Sequence, residues 1–355
     1  MKIFLYIISL SVLLLACSSD KTNDYKPKEP IREVQFINQI KSISELFKES
    51  GYIILDSNKE AIIPNHRISK FIDSIHIFVS DLFSIRVFEK NGKFVQKIEK
   101  KGDGPGEYKS LINVTSSSDV ICGYDNSTSS IYLFNFKTGA LESTFKVKNR
   151  YRQICIYKDS LIIMLRQGSE KDKYCIFDFY NTKGNILYTD TSIEISDPRQ
   201  YVCMPNGNII LEVYGKYMYF ISPDNLIIRC YNITERKVEW CSNYLPNVIA
   251  LEKINNKSSV EKVQKWINDY EMLYGFMILE SKLLLLQTKN YIMFYDANGN
   301  YLNHFRYRGA YSNLKWFSPF SDGHSIYQLN QPDIKKISLN NSNYRLVKYD
   351  FLFKK

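Results

Sequence analysis

Between Ile75 and Ile337 the chain repeats one pattern, an apolar run of about four residues, a tight polar turn and a second strand-like run. The unit reads Ile85-Arg86-Val87-Phe88 around Asn91-Gly92, then Ile131-Tyr132-Leu133-Phe134 around Thr138-Gly139. It returns as Tyr174-Cys175-Ile176-Phe177 around Lys183-Gly184, Leu226-Ile227-Ile228-Arg229 around Glu235-Arg236, and Tyr291-Ile292-Met293-Phe294 around Asn298-Gly299. A degenerate sixth, Ile334-Lys335-Lys336-Ile337, precedes Asn341-Ser342. Turns fall about 43 to 63 residues apart, the period of four-stranded propeller blades with one insertion. Further strand candidates precede the turns: Ile75–Val79, Val120–Cys122, Leu161–Leu165, Ile209–Val213 and Leu283–Leu286. Runs apolar on both faces suit inner strands wedged between neighbouring blades.

Six units predict an all-β, six-bladed β-propeller. A pair of β-sandwiches is the alternative, but it would not require a strand-turn-strand unit at near-constant period. Closure of the ring calls for an N-terminal strand near Gly51–Asp56 or Glu33–Ile40 to complete the last sheet and protect its edges. The long interval between the fourth and fifth turns predicts an inserted helix at about 247–274. Ser258 and Glu261 have capping-box spacing there, and Val260, Val263, Trp266, Ile267, Tyr270 and Leu273 recur at helical intervals. Aromatics make up 14% of the chain, with 27 tyrosines, which supplies side chains for strand faces.

The first residues predict an address. Lys2, the apolar run Ile3–Leu15 and Leu14-Leu15-Ala16-Cys17 read as a secretory signal over residues 1–16, too short for a comfortable membrane span. The ending resembles a lipobox, so Cys17 is expected to carry lipid, and several acyl chains hold a protein firmly on a bilayer. Ser18 follows the cysteine where aspartate would signal inner-membrane retention, which favours the outer membrane, with the periplasmic or surface face left open. Residues 17–32 are polar and read as a tether, and residues 33–355 as the propeller.

The loop Lys101-Gly102-Asp103-Gly104-Pro105-Gly106-Glu107-Tyr108 concentrates three glycines and a proline. No Lys-Ser/Thr pair follows its last glycine, so a phosphate cradle is excluded and the loop reads as architecture. Gly102, Gly104, Pro105, Gly106, Glu107 and Tyr108, after a strand, an Asn-Gly turn and a second strand, resemble a signature of the 6-bladed β-propeller lipoproteins of diderm bacteria, related in shape to NHL and TolB-type propellers. The resemblance implies a fold and an envelope address, and no reaction.

Candidate chemistry is sparse. His66, His76, His304 and His324 have no metal-ligand spacing, and there is no nucleophile elbow. His76 lies in an inner-strand candidate whose alternate side chains could face the central channel, or it is bonded within a strand surface. Asp81 and Asp125 follow such candidates in successive units; they could line one end of the channel, or cap turns through nearby amides. No cofactor is predicted, and a channel metal ion stays open. With a two-residue turn at Glu235-Arg236, Cys230 and Cys241 would lie directly opposite, within reach of a disulfide. The net charge of +10 is scattered through turns and tether, so nucleic acid is not expected as a partner. The expectation is a non-catalytic binding or scaffold module for a protein, peptide or glycan, joined to the membrane by lipid. The alternative is a lactonase- or lyase-like propeller enzyme at the channel mouth.

Overall fold

Strands apolar on both faces need a neighbour on each side, and a ring of radially stacked sheets gives every sheet two. The computed structural model describes residues 45, 47–63, 69–72, 75–166, 174–194, 210–221, 226–242, 273–279, 283–288, 291–306, 320–321, 325–330 and 344–352. Among the described residues there are six four-stranded antiparallel sheets and no α-helix. Strand β1 (Phe47–Ile54) comes first but belongs to the last sheet. Blade one holds β2 (Ser69–Ile72), β3 (His76–Ser80), β4 (Ile85–Glu89) and β5 (Phe94–Ile98). Blade two holds β6 (Asn113–Ser116), β7 (Val120–Asp125), β8 (Ser130–Asn135) and β9 (Leu141–Lys146), and blade three β10 (Tyr151–Tyr157), β11 (Leu161–Arg166), β12 (Tyr174–Asn181) and β13 (Ile186–Glu194). Blade four is β14 (Ile210–Tyr214), β15 (Tyr217–Ile221), β16 (Ile228–Asn232) and β17 (Lys237–Cys241). Blade five is β18 (Leu273–Ile278), β19 (Leu284–Thr288), β20 (Tyr291–Tyr295) and β21 (Tyr301–Arg306). Blade six pairs β22 (Phe320–Ser321), β23 (Ser325–Asn330) and β24 (Arg345–Phe351) with β1 as its outermost strand.

The first strands of successive blades, β2, β6, β10, β14, β18 and β22, neighbour one another around the ring, and β22 meets β2. They surround the central channel. The core is six inter-blade seams rather than one centre. Phe78, Tyr108, Ile121 and Phe134 fill the seam between blades one and two, while Phe47, Leu285, Phe294 and Ile326 fill that between five and six.

Closure uses an N-terminal strand, Phe47–Ile54, which overlaps the first of the two expected candidates, Gly51–Asp56, and pairs with Arg345–Phe351; Glu33–Ile40 lies outside the described residues. Two expectations need correction. Four of the doubly apolar runs are second strands (β3, β7, β11, β19), one strand removed from the channel, because seams press on the middle of a blade from both sides. One innermost strand, Asn113-Val114-Thr115-Ser116, is polar and half-buried throughout. The sixth unit was also misplaced: the third strand of blade six is Arg345–Phe351, and no third-to-fourth turn exists because the fourth strand comes from the other end of the chain. Residues 334–337 and 341–342 lie outside the described residues, as does most of the expected helix, although its last apolar position, Leu273, opens β18.

Each third-to-fourth turn packs on the outer strand of the preceding blade. Gly92 (φ +94°) faces the Ile54 carbonyl and Gly299 (φ +79°) faces the Trp240 ring, so closely that a Cβ would clash in either place. In blade four the equivalent residue is Arg236, also at positive φ (+55°), whose guanidinium lies 4.0 Å from the Tyr188 ring centroid. Asn135, Asn181 and Asn232 end third strands, Asp296 follows one, and all four accept amide hydrogen bonds from their own turns.

Candidate functional site

Loops between second and third strands share one end of the ring with the links between blades, and there the glycine-rich loop does its packing. Tyr108 is fully buried between blades one and two, donates its hydroxyl to the Phe83 carbonyl (2.8 Å), and meets Tyr132 edge-on at 5.6 Å. Tyr132 in turn donates to the Glu107 carbonyl (2.7 Å). Burial pushes the Tyr108 phenol well above its ordinary pKa. The Gly104 amide donates to Glu107 Oε2 (2.8 Å), and any side chain at Gly102 would collide with that carboxylate. The loop is therefore a latch between blades, built on glycine where Glu107 folds back. Tyr108→Phe should cost about 1–2 kcal/mol by leaving a buried carbonyl unpaired. That corresponds to a melting temperature about 2–4 °C lower by calorimetry, and no change would contradict the latch.

Asp81 and Asp125 are brought to this end and are both buried, away from the channel. Asp81 Oδ1 accepts the amides of Phe83 (3.0 Å) and Ser84 (2.8 Å), while Oδ2 accepts Arg86 (2.6 Å). Asp125 Oδ1 accepts the Ser127 amide and hydroxyl, and Oδ2 accepts the Lys109 amide (2.7 Å). Burial opposes ionisation of Asp125, but these hydrogen bonds hold its carboxyl below the usual range. Both follow second strands, so their carboxylates cap turns instead of lining the channel. His76 begins β3 at the opposite end of the ring, also one strand from the channel, with Phe136 4.6 Å away and Phe78 at 6.3 Å.

The Asp81 turn has a second consequence. Leu82 sits at φ +76°, a strained conformation for a bulky residue, fixed by the Asp81 carboxylate and by the Leu111 amide donating to the Leu82 carbonyl (2.7 Å). Phe83 is thereby held outward, 40% exposed, with the Lys101 ammonium 4.0 Å from its ring centroid. Beside it runs a groove of about 460 Å³ bordered by Glu99, Lys101, Pro105, Glu107 and Leu141.

Two further groups lie outside the candidates read from residue order. In blade three, Asp178 is fully buried and accepts Arg166 Nε (2.6 Å), Arg166 Nη2 (2.7 Å), Thr189 (2.6 Å) and Tyr151 (2.7 Å). In blade four, Glu212 is mid-strand on β14, the innermost strand, open to solvent although its neighbours Ile210 and Leu211 are buried. Ile210, two residues before it on the same face, packs in the seam between blades four and five. Alternation along β14 would have singled out Glu212 had β14 been recognised as innermost.

The expected cysteine pair is not opposed. Asn232 pairs with Lys237, so the turn holds four residues, and a bulge follows at Cys230/Tyr231. Cys230 therefore faces Trp240, Cys241 faces Arg229, and both thiols are free. One step of register puts neighbouring side chains on opposite faces. Cys17 lies outside the described residues. Among the described residues no three potential metal-ligating His, Cys, Asp or Glu side chains converge.

Comparison with known proteins is consistent with this geometry. Residues 32–241 match a family described as "Domain of unknown function (DUF4934)". No curated protein matches the chain. Among solved structures, a "Putative exported protein" from Bacteroides fragilis is similar at 16% identity and TM-score 0.58, over 88% of this chain and 96% of that one. That likeness shows the fold.

Proposed function

The chain belongs to the DUF4934 family, and from that premise we propose that it is a non-catalytic binding module of the cell envelope. It presents the loop-bearing end of the ring to a protein, peptide or glycan. One observation carries the reading: Phe83 is held exposed on a strained turn, under the Lys101 ammonium and beside the groove. Strain that persists only because Asp81 and the latch enforce it marks a position held for recognition. An exposed aromatic next to a cation suits a sugar ring or a peptide side chain. The name of the Bacteroides fragilis neighbour supports export, and the lipobox-like residues before Cys17 support lipid anchoring at the outer membrane. The chain before Phe47 enters the ring at its outermost strand, so a tether there joins at the rim and not in the channel.

Two measurements test the reading. Envelope extracts passed over wild type and Phe83→Ser should yield a partner that the variant loses, at equal melting temperature; identical retention by both overturns the Phe83 surface. Cys17→Ser should abolish acyl labelling and move the protein to soluble envelope fractions. Labelling and membrane retention that persist would remove the anchor.

A further inference from the structure

We propose that the groove beside Phe83 binds a neutral oligosaccharide, with one sugar ring against Phe83 and the hydroxyls of its neighbours paired with Glu99, Lys100, Lys101 and Glu107. This rests on the reading that the loop-bearing end of the ring is a binding face, and it names the class of molecule bound there. The cavity of about 460 Å³ falls within the range of about 300–1,000 Å³ typical of small-molecule sites. Lys101 joins the two parts of the site, because it borders the groove while its ammonium lies 4.0 Å from the Phe83 ring centroid.

The lining selects the class. Two carboxylates, Glu99 and Glu107, and two ammonium groups, Lys100 and Lys101, border the groove, so these four side chains carry no net charge. A carboxylate only accepts and an ammonium only donates, whereas a hydroxyl does both. A wall that mixes the two therefore satisfies neighbouring hydroxyls in pairs. The exposed part of the Phe83 ring supplies an apolar surface for the C–H groups of a sugar ring. A polyanion would meet as many carboxylates as ammonium groups and gain no net attraction. A peptide also fits poorly. Pro105 and Leu141 are the apolar side chains of the lining, too few to form side-chain pockets. Strand addition is closed off as well, because the Tyr108 amide already donates to the Lys100 carbonyl (2.9 Å) and the Gly102 amide to the Tyr108 carbonyl (3.1 Å). The same loop holds the wall ready: the Gly104 amide fixes Glu107 Oε2 (2.8 Å), and Lys97 pairs with Glu99 (2.5 Å). Side chains ordered in advance lose less freedom on binding.

The test offers the immobilised full chain an envelope extract in three states: untreated, digested with proteinase K, and oxidised with periodate, which cleaves vicinal diols. Wild type should retain hexose-containing material from the first two and none from the third, and that material should pass an anion exchanger unbound. Titrated calorimetrically with this neutral glycan fraction, Phe83→Ser should bind about tenfold more weakly than wild type, and Glu107→Gln about fivefold, both at the wild-type melting temperature. Retention that proteinase K abolishes or periodate leaves intact overturns the inference while the binding-module reading stands, as does a glycan held by the anion exchanger. Equal retention by wild type and Phe83→Ser from every extract removes both.

Discussion

A chain cut after Asn330 is expected to lose cooperative melting and to elute as aggregate rather than monomer. The cut removes β24, which pairs on one side with β1 and on the other with β23. Without it, both remaining strands present unpaired backbone edges, which recruit strands from other chains. Tyr349 also leaves the seam that holds Phe47 and Ile326, and Leu346 leaves the seam that holds Ile77 and Val79. The loss is therefore of ring closure and two seams together, not of one strand's packing. Val347→Pro offers a full-length counterpart. Val347 pairs with Tyr52 and Gln328, and proline cannot donate to a ladder. Light scattering and calorimetry decide the matter. A truncated monomer melting at the wild-type temperature would contradict closure by the N-terminal strand.

Asp178→Ala should destabilise the protein by about 3–5 kcal/mol, because Arg166, Thr189 and Tyr151 all lose their common acceptor in a buried setting. The melting temperature should fall by on the order of 6–10 °C. The pH dependence follows from the same contacts. Burial alone would raise the Asp178 carboxyl, but hydrogen bonds from Arg166, Thr189 and Tyr151, with the Arg166 charge, lower it below the ordinary value. Its stabilising contribution is then complete above the unfolded aspartate pKa of about 3.9 and fades as pH falls through the lower folded value. The stability gap between wild type and Asp178→Asn should be constant from pH 7 to about 5 and narrow below pH 4. A gap that stays constant to pH 2 would show that the carboxylate's charge contributes nothing.

Some of this was legible from residue order. The third strands Ile85–Glu89, Ser130–Asn135, Tyr174–Asn181 and Tyr291–Tyr295 contain the apolar runs of the repeating unit, and Ile228–Asn232 contains the second half of the fourth. They announce themselves because both faces are pressed in seams and a turn follows each. Innermost strands were less visible. Asn113–Ser116 is short and half-buried, since one of its edges borders the channel, and period-two burial is weak there. The apolar runs do not distinguish second strands from innermost ones, so His76, Asp81 and Asp125 lie one strand away from the channel that residue order suggested for them. The cysteine register failed for a local reason: a four-residue turn and a bulge, each worth one or two positions, are not encoded in the apolar pattern.

The sequence by itself determined the all-β class, the number of units and the need for an N-terminal strand to close the ring. These follow from periodicity and from the instability of bare strand edges, both properties of local residue order. The tertiary structure alone decided which strand borders the channel, which carboxylates serve turns, and which one gathers partners from a whole blade. Those outcomes depend on how sheets are stacked about an axis. Asp81 and Asp125 find amides within a few residues or across one link, whereas Asp178 on β12 draws Tyr151, Arg166 and Thr189 from the three other strands of its blade.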